Sequence, residues 1–397
     1  MLDLDAAVQA LDVAVSPLEP EWRSLEQARD RTLAADVRAD GDLPAADISA
    51  MDGYALRHQD LAAGTPLPVV QEVPAGAAPA PLPEGSAARI FTGAALPAGA
   101  DTVVPQEMAA CLEDGRVRLE PLEPGAHVRR LGELFSAGSV LAAKGERITP
   151  QLTALLAAGG AARVQVFSSP TVALLSTGRE VVDPSVRPGP GQIRNTNGPM
   201  FAALAAAAGC SVVTQATVGD ESDALRAALE RCLAAADLVL TSGGVSVGDY
   251  DLVPQVLAEL GGEILFHGVA LKPGKPVLAA RVGASWVLGL PGNPLASLVG
   301  WRLFGLPLAR RLGGVEAPFG PPLHLPLAAD TPRARRRTEL RTGRLVRGAR
   351  GPEVEVLPWK GSHDLTASAR AETLVRIEPD GETSAGTMVP CYPLECW

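Results

Sequence analysis

A short apolar run opens the segment Leu238-Val-Leu-Thr-Ser-Gly-Gly-Val-Ser-Val-Gly-Asp-Tyr-Asp251, and a turn of hydroxyl, glycine and carboxylate residues follows it. Between residues 170 and 312 the same order recurs, and most of these turns lead into a segment with helical spacing. This alternation predicts a three-layer α/β domain, in which helices cover both faces of a largely parallel sheet. The predicted strands are Val172–Leu175, Ser211–Val218, Leu238–Leu240, Ile264–Phe266, Val277–Ala280 and Trp286–Leu288, and the clearest predicted helices are Gly198–Ala208, Ser222–Ala235 and Leu252–Leu260.

The segments on either side of residues 170–312 do not show this alternation of strand and helix. At the N-terminus, Asp3 is predicted to cap a helix that buries Leu4, Val8 and Leu11, and a second helix is predicted near Ser24 to Ala35. Glycine and proline then divide the chain into short apolar runs, which predict a β-rich domain. The chain becomes helical again before Gly159, and short strands with turns predict a small β domain at the C-terminus.

Composition narrows the class of protein. The chain has 397 residues, of which 47% are hydrophobic, so several well-filled domains are expected. A formal net charge of −10 argues against a nucleic-acid or anionic-membrane partner. No signal peptide is visible, and no apolar run approaches the ~20 residues of a membrane helix. Five cysteines without a Cys-x-x-Cys pair and five scattered histidines predict a reduced, cytoplasmic protein without a zinc site.

Residues suited to ligand binding follow the predicted strands. In an open α/β sheet, ligands bind beyond the carboxyl ends of the strands, where such residues would meet. The candidates are Ser176, Thr177, Gly178 and Glu180 after the first strand, Asp220 after the second, Ser242, Gly243, Gly244, Ser246, Asp249 and Asp251 after the third, Lys272 and Lys275 in a later turn, and Pro291, Gly292, Asn293 and Pro294 after the last.

Three groups among these candidates indicate chemistry. The glycine pair after Ser242 can present bare backbone N–H groups to an anion, although such a pair also makes a plain tight turn. The acids offer the hard oxygen ligands that Mg²⁺ prefers, with helix capping as the alternative for any single one. The chain has only four lysines, and Lys272 and Lys275 lie three residues apart in one proline-rich turn. Their compact charges suit phosphate or an oxyanion such as molybdate.

Two further clusters lie in the β-rich segment. Asp52 stands beside a glycine and an aromatic residue in Ser49-Ala-Met-Asp-Gly-Tyr-Ala55, and Thr92 ends an apolar run in Phe91-Thr-Gly-Ala94. As turns, both are ordinary. A run of arginines between Arg333 and Arg350 is interpreted as a solvated face or as a set of interdomain salt bridges.

Together these motifs resemble the MoeA family, the molybdopterin molybdenumtransferases, to which the C-terminal domain of gephyrin is related. The resemblance covers essentially the whole chain. It rests on Leu43-Pro-Ala-Ala-Asp-Ile-Ser-Ala-Met-Asp-Gly-Tyr-Ala55, Arg89-Ile-Phe-Thr-Gly-Ala94, Gly99-Ala-Asp-Thr-Val-Val104, Ser176-Thr-Gly178, the segment from Ser242 to Asp251, Lys272-Pro-Gly-Lys-Pro276 and Leu290-Pro-Gly-Asn-Pro294. Two residues depart from the pattern: Leu134 stands where an acid is common, and Gly268 stands where some members have lysine.

The resemblance implies an architecture of four domains. These are an elongated, discontinuous linker domain (residues 1–38 and 125–166), a β-rich domain (39–124), an α/β molybdopterin-binding domain (167–312) and a C-terminal β-barrel (313–397). It also implies a homodimer, in which the second domain of one subunit faces the third domain of the other and the site lies between subunits.

The resemblance also implies an activity, the insertion of molybdate into adenylylated molybdopterin with release of AMP and with Mg²⁺ as cofactor. The implied catalytic residues are Asp52, Thr92, Glu180, Asp220 and Asp251, of which Asp52 and Thr92 would come from the other subunit. Asp220, Asp249 and Asp251 would bind the metal. The backbone from Ser242 to Gly244 would hold a phosphate, the two lysines would attract molybdate or phosphate, and the turn from Pro291 to Pro294 would shape the molybdate pocket.

Two other functions share part of this pattern. A molybdopterin adenylyltransferase has a similar α/β domain, but usually without the segments around Asp52 and Thr92 or a C-terminal domain. A non-catalytic pterin-binding scaffold is the other alternative, although no long linker or added partner domain is present. The implied transient partners are molybdopterin adenylyltransferase and the molybdoenzymes that accept the cofactor, with no nucleic acid and no membrane.

Overall fold

The computed structural model describes residues 1–61, 64–245, 252–318 and 320–394. The chain forms two compact units. The first contains Met1–Glu21, Asp30–Ala34 and Val166–Trp397, and the second contains Trp22–Arg29 and Ala35–Gln165. The chain passes between the units within the strands Pro20–Ser24 and Arg163–Phe167. Among the described residues, no helix is both long and apolar enough to cross a membrane.

A six-stranded sheet forms the centre of the first unit. Its strands, in spatial order, are Ser211–Val218, Thr171–Thr177, Leu238–Ser242, Ser285–Leu290, Leu278–Val282 and Glu263–His267. The first four are parallel, as predicted. The last two join through antiparallel pairing, because only two residues, including Gly283, connect Leu278–Val282 to Ser285–Leu290 and a parallel connection needs a much longer crossover.

Helices cover both faces of this sheet. Along Thr171–Thr177, Val172 and Leu174 pack with Phe201 of one helix, whereas Ala173 and Leu175 pack with Leu229 of another. This alternation is the period of two expected of a strand buried on both faces. The helices of the domain are Asn197–Ala207, Ser222–Ala235, Val253–Glu259, Pro294–Gly300 and Leu306–Leu312, and a π-helical turn, Trp301–Gly305, joins the last two. Two short parallel strands, Val181–Val182 and Ile193–Arg194, lie outside the sheet.

A second six-stranded sheet follows in the same unit. It contains Leu271–Lys272, Thr338–Gly348, Thr373–Ile377, Met388–Pro393 and Leu323–Pro326 in spatial order, with Gly351–Val356 paired to Thr338–Gly348. A parallel bridge from Leu327 to Val354 connects its two sides. The short helix Leu365–Ser368 begins after Asp364, whose carboxylate accepts from the first helical amides. The lysine-bearing turn therefore starts inside this C-terminal sheet.

The N-terminal prediction is half correct. The helix Leu4–Ala14 forms, and the Asp3 side chain accepts from the backbone nitrogen of Ala6 as its cap. The second predicted helix, near Ser24 to Ala35, is wrong. Leu33 instead makes an antiparallel bridge to Val166, and Thr32 accepts a hydrogen bond from the backbone of Phe167. Extended pairing satisfies the backbone here, so tertiary contacts override the helical spacing.

The second unit is rich in short strands, as predicted. Its main sheet contains, in spatial order, Thr102–Pro105, Gly53–Leu56, Ala87–Ile90, Leu67–Val73, Arg116–Leu119 and Ala109–Cys111. Two small antiparallel pairs join Val128–Arg129 to Ile48–Ser49 and Val140–Ala142 to Val37–Arg38. Its helices are His58–Leu61, the 3₁₀ turn Gln106–Met108 and Pro150–Ala158, which Thr149 caps and which ends at Gly159.

Candidate functional site

The carboxyl ends of the parallel strands converge on two glycine turns. The Gly243 backbone nitrogen donates to the carbonyl oxygen of Leu290 over 2.9 Å, and Thr177 Oγ1 donates to the carbonyl oxygen of Ser242 over 3.3 Å. Gly243 has a φ of +92°, and a Cβ there would lie 2.7 Å from Thr177 Oγ1. Only glycine fits both the backbone angle and the space. The three central strands therefore end in one surface of backbone groups and hydroxyls.

A buried asparagine connects these turns. Asn197 begins the helix Asn197–Ala207, is 5% exposed, and donates through Nδ2 to Ser242 Oγ over 2.7 Å and to the Gly292 carbonyl oxygen over 2.8 Å. Ser297 accepts from the same nitrogen over 3.2 Å and donates to the carbonyl oxygen of Pro291. One side chain thus fixes two of the predicted ligand-binding turns relative to each other.

Sequence reasoning missed this asparagine. Asn195 has a parallel role, since its Nδ2 donates to Ser176 Oγ over 2.9 Å. The signal was present in the sequence Asn195-Thr-Asn197, two amide side chains immediately before a predicted helix.

The described acids lie at the first two strand ends. Asp220 Oδ2 accepts from the backbone nitrogen of Arg179 over 3.3 Å and lies 3.5 Å from its Nε. Helix capping, the alternative for Asp220, is wrong: Glu221 occupies the cap position of Ser222–Ala235. The Glu180 carboxylate lies over Gly178, where a Cβ would come within 2.6 Å of both of its oxygens.

The predicted metal site is only partly described. Asp249 and Asp251, together with Ser246, lie outside the described residues. Among the residues that are described, no three His, Cys, Asp or Glu side chains converge in a way that could hold a metal ion. Asp220 is therefore the one member of the predicted metal set whose position can be given.

A cationic cavity of about 490 Å³ lies beside the glycine turns. Lys272 and Lys275 line it, as do Pro291 and Asn293 from the turn after Ser285–Leu290. The predicted association of the lysines with that turn is therefore seen in the fold, although the lysines belong to a different strand end. Gly292, between the two, approaches Gly243: a Cβ on Gly292 would lie 3.8 Å from the Gly243 Cα.

The C-terminal domain supplies the rest of this cavity. Arg337, Trp359 and Ser362 line it, and the Ser362 carbonyl oxygen accepts from the backbone nitrogen of Leu295 over 3.0 Å. Arg337 Nη1 also donates to the carbonyl oxygen of Leu271 over 3.1 Å. Arg337, one residue of the arginine run interpreted as a solvated face or as interdomain salt bridges, is half-buried and lines the same cavity as the lysines, a position that its spacing in the sequence does not reveal.

Asp52 and Thr92 meet in the second unit. Asp52 Oδ1 accepts from both the backbone nitrogen and the hydroxyl of Thr92, each over 2.8 Å. These two hydrogen bonds, aided by the charge of Arg89, hold the pKa of Asp52 below its usual range. The Arg89 guanidinium lies 5.1 Å from the centre of the Tyr54 ring and 5.2 Å from that of Phe91. The pair therefore presents a fixed, ionised carboxylate.

The turn that carries Leu134 projects into solvent. Leu134 is 73% exposed and its backbone nitrogen donates to the carbonyl oxygen of Leu43 over 3.0 Å. The neighbouring Glu133 accepts through Oε2 from the backbone nitrogen of Arg130 over 2.9 Å. Glu133 therefore closes its own turn, and this hydrogen bond occupies one of its carboxylate oxygens.

Three family models match nearly the whole chain. The MoeA N-terminal region (domain I and II) matches residues 2–160, a probable molybdopterin binding domain matches residues 173–311, and the MoeA C-terminal region (domain IV) matches residues 324–394.

Curated proteins and solved structures are similar over almost their full length. The chain is 37% identical to molybdopterin molybdenumtransferase 2 of Mycobacterium tuberculosis, covering 93% of this chain and 94% of that protein. It is 34% identical to the molybdopterin molybdenumtransferase of Haemophilus influenzae, covering 99% and 98%. A crystal structure of the molybdopterin biosynthesis MoeA protein from Pyrococcus horikosii superposes with a TM-score of 0.85 at 31% identity, covering all of both chains.

Proposed function

This chain belongs to the MoeA family of molybdopterin molybdenumtransferases, and from that premise we propose how its described site inserts molybdate into adenylylated molybdopterin with release of AMP. The observation that carries the proposal is the adjacency of two anion-binding surfaces. A cavity with three cationic side chains, Lys272, Lys275 and Arg337, shares the Pro291–Asn293 turn with the glycine turn at Gly243. Molybdate and a phosphate-bearing pterin can therefore lie side by side.

The cavity is the proposed molybdate site. Molybdate is a divalent oxyanion, and the two lysines and the arginine that line the cavity supply compact and planar cationic donors. The Ser362 and Asn293 side groups add neutral polar groups to the same wall. A cavity of about 490 Å³ is far larger than one oxyanion needs, so part of the second substrate fits in the same space.

The glycine turn is the proposed site of the adenylylated molybdopterin. The Ser242 hydroxyl, which accepts from Asn197, and the Gly244 backbone can offer donors without bulky side chains, which suits a phosphate group, whereas the Gly243 N–H and the Thr177 hydroxyl already donate to main-chain carbonyls. The hydrogen bonds from Asn197 hold Ser242 and the Gly292 carbonyl in fixed positions, so the donors need no reordering when the substrate arrives. Ser176, Thr177 and Gly178 border this surface on its first strand.

The donor set also fits Mg²⁺. Asp220 offers a carboxylate at the strand ends, and Mg²⁺ in phosphate sites usually takes one or two carboxylates and completes its shell with water and phosphate. We propose that Asp220 holds the ion together with Asp249 and Asp251, with Glu180 nearby. When bound, the metal would neutralise the departing phosphate.

The second unit would complete the site of another subunit. We propose a homodimer in which Asp52 and Thr92 face the α/β domain of the other chain. Support comes from the ionised, preorganised state of Asp52.

The same proposal divides the chain into four domains. These are a linker domain (residues 1–38 and 125–166), a β-rich domain (39–124), an α/β domain (167–312) and a C-terminal barrel (313–397).

Location and transient partners complete the proposal. We propose that the protein works in the cytoplasm, where the four described cysteines, all thiols, would stay reduced. It would receive adenylylated molybdopterin from a molybdopterin adenylyltransferase and pass the finished cofactor to molybdoenzymes.

An AMP-release assay tests this function. Purified protein is mixed with adenylylated molybdopterin, and AMP is measured with and without molybdate and with and without Mg²⁺. We expect AMP only when both are present, and no consumption of ATP. ATP-dependent adenylylation of molybdopterin would instead identify an adenylyltransferase. AMP release at the same rate with and without molybdate would contradict molybdate insertion.

A further inference from the structure

A buried carboxylate is paired with Lys272, one of the residues that line the cationic cavity. Lys272 Nζ donates to Glu339 Oε1 over 3.0 Å, and the same ammonium lies 5.7 Å from the centre of the Trp359 ring. The Lys272 side chain is 46% exposed, whereas that of Glu339 is 6% exposed. The ammonium therefore faces the cavity with its remaining N–H groups while one is shared with a buried anion.

Burial alone would favour the neutral form of Glu339. Its hydrogen bonds with Arg341 and Lys272 outweigh that effect, and the pKa of Glu339 lies below its ordinary value. Arg341 donates to Glu339 Oε2 through Nε over 2.9 Å and Nη2 over 2.6 Å, and its side chain is 8% exposed. The three charges are thus ordered from the cavity inward as Lys272, Glu339 and Arg341.

Backbone pairing fixes this order. Leu271–Lys272 is a parallel strand of the C-terminal sheet, and Lys272 stands in register with Glu339. The sheet itself therefore holds Glu339 beside Lys272, with Arg341 two residues further along the same strand. A negative charge at this place opposes anion binding, and a fold that needed only a strong oxyanion site would be better served by a neutral residue.

We propose that Glu339 sets the affinity of the cavity for its oxyanion, by sharing the Lys272 ammonium and weakening its pull on the bound anion. The inference rests on the molybdate cavity proposed above. Molybdate must leave this cavity for the dithiolene during the reaction, and tight ground-state binding raises the barrier to such a transfer. A lysine whose positive charge is partly offset by a neighbouring carboxylate binds the oxyanion less tightly and can still release it.

The rival explanation is that Glu339 only stabilises the fold through Arg341. The two explanations predict opposite effects of Glu339→Gln on molybdate affinity, and the same direction of effect for Arg341→Gln. If charge is what matters, Glu339→Gln removes a negative charge near the cavity and tightens molybdate binding, whereas Arg341→Gln removes a positive charge behind it and weakens binding. If the pair is only structural, both variants loosen the cavity and both bind molybdate more weakly.

Calorimetric titration of the full chain with sodium molybdate, at low and high salt, makes the measurement. We expect Glu339→Gln to bind about threefold to tenfold more tightly than wild type, with a steeper salt dependence, and Arg341→Gln to bind more weakly. Weaker binding by both variants overturns the inference. Thermal unfolding of each variant checks the fold.

A double variant covers the case in which Glu339→Gln leaves Arg341 buried and unpaired and fails to fold. Glu339→Gln combined with Arg341→Gln replaces the ion pair by two amides, and tighter molybdate binding is still expected because the nearer charge is the negative one. Unchanged or weaker binding overturns the inference.

Lys275→Ala separates this inference from the proposed function. Lys275 lines the same cavity and has no part in the Glu339 pair, so this variant is expected to lose molybdate affinity. If Lys275→Ala binds like wild type, the cavity is not the molybdate site and both proposals fail. If Lys275→Ala loses binding but Glu339→Gln is not tighter, the cavity assignment stands and the role of Glu339 is refuted.

Discussion

Thr92 donates two hydrogen bonds to a single oxygen of Asp52, one from its backbone nitrogen and one from its hydroxyl, each 2.8 Å long. Both are lost if the carboxyl takes up a proton on that oxygen, so they favour the ionised form and lower the pKa of Asp52. Thr92 therefore keeps the Asp52 carboxylate charged to a lower pH than it would otherwise reach.

Thr92→Val should narrow the pH range of activity. The variant keeps the backbone donor but loses the hydroxyl, so the pKa of Asp52 should rise toward its ordinary value. Because a carboxylate with a lowered pKa is lost only as pH falls through that value, the acidic limb of the AMP-release profile should move to higher pH. Rates above neutral pH should stay near wild type. Thr92→Ser retains the hydroxyl and is the matched control; an acidic limb at the wild-type position in Thr92→Val would refute this role.

Asn197→Ala should reduce both stability and activity. The change leaves Ser242 Oγ and the Gly292 carbonyl without their buried donor, at a cost of about 1–3 kcal/mol in the free energy of unfolding. Since the two turns would then be connected only by the Gly243 to Leu290 backbone hydrogen bond and by strand pairing, AMP release should fall at least about tenfold, equivalent to about 1.4 kcal/mol in the barrier. Chemical denaturation and the AMP assay measure the two effects.

The matched control for Asn197 is an exposed amide. Gln255 Nε2 bonds to Glu259 Oε1 on the surface of the helix Val253–Glu259. Gln255→Ala should change stability by no more than about 0.5 kcal/mol and leave AMP release unchanged. Wild-type turnover in Asn197→Ala would show that the hydrogen bonds are not needed to arrange the turns.

Gly243→Ala should disrupt the site more than strain alone explains. Alanine at φ +92° costs about 1–3 kcal/mol, and its Cβ would also press on Thr177 Oγ1 at the end of the neighbouring strand. Gly283→Ala is the matched control, because Gly283 has a φ of +60° in a hairpin turn and nothing lies within 4 Å of its Cβ position. We expect both to lose stability but only Gly243→Ala to lose AMP release and phosphate-ligand binding. Similar activity in the two variants would contradict the role of this turn.

The α/β domain could be predicted because its central strands are buried on both faces and begin with apolar runs. Leu238–Ser242, with all five residues buried, is an example. The association of Lys272 with Glu339 could not be predicted, because it depends on Leu271–Lys272 joining a sheet whose next strand begins at Thr338. Spacing shows which residue types are present in a turn, but long-range strand pairing decides what faces them.

The error near Ser24 to Ala35 has the same origin. The spacing of apolar residues there allows a helix, yet the bridge from Leu33 to Val166 connects residues more than a hundred positions apart. Asp30, at a φ of +65°, also breaks any continuous helix. The convergence of the strand-end turns was easier to predict, since parallel strands place their carboxyl ends at one edge of the sheet whatever the loops do.

Mixed subunits test the proposed dimer. Asp52→Ala and Asp220→Ala should each be inactive alone, because each removes one acid from every site. After subunit exchange, the heterodimer would have one site with both acids intact, so up to about half of the wild-type activity per heterodimer is expected. Wild type mixed with Asp220→Ala is the control for exchange. Verified exchange without any recovery would indicate that one chain supplies both acids.

The Leu134→Asp variant tests whether the leucine at this position, where the family commonly has an acid, affects molybdate insertion. A leucine side chain binds no metal and transfers no proton, so the site must function without an acid at this position. Leu134 is 73% exposed, and Glu133 is engaged with the backbone of Arg130, so neither change in charge nor change in packing should disturb the turn. We therefore expect stability within about 0.5 kcal/mol of wild type and molybdate insertion at a similar rate. Leu134→Asn, which is polar but uncharged, controls for the loss of the apolar side chain. The opposite result, an inactive wild type that Leu134→Asp restores, would mean that Asp220 and the neighbouring acids are insufficient and that the chain binds pterin without inserting metal.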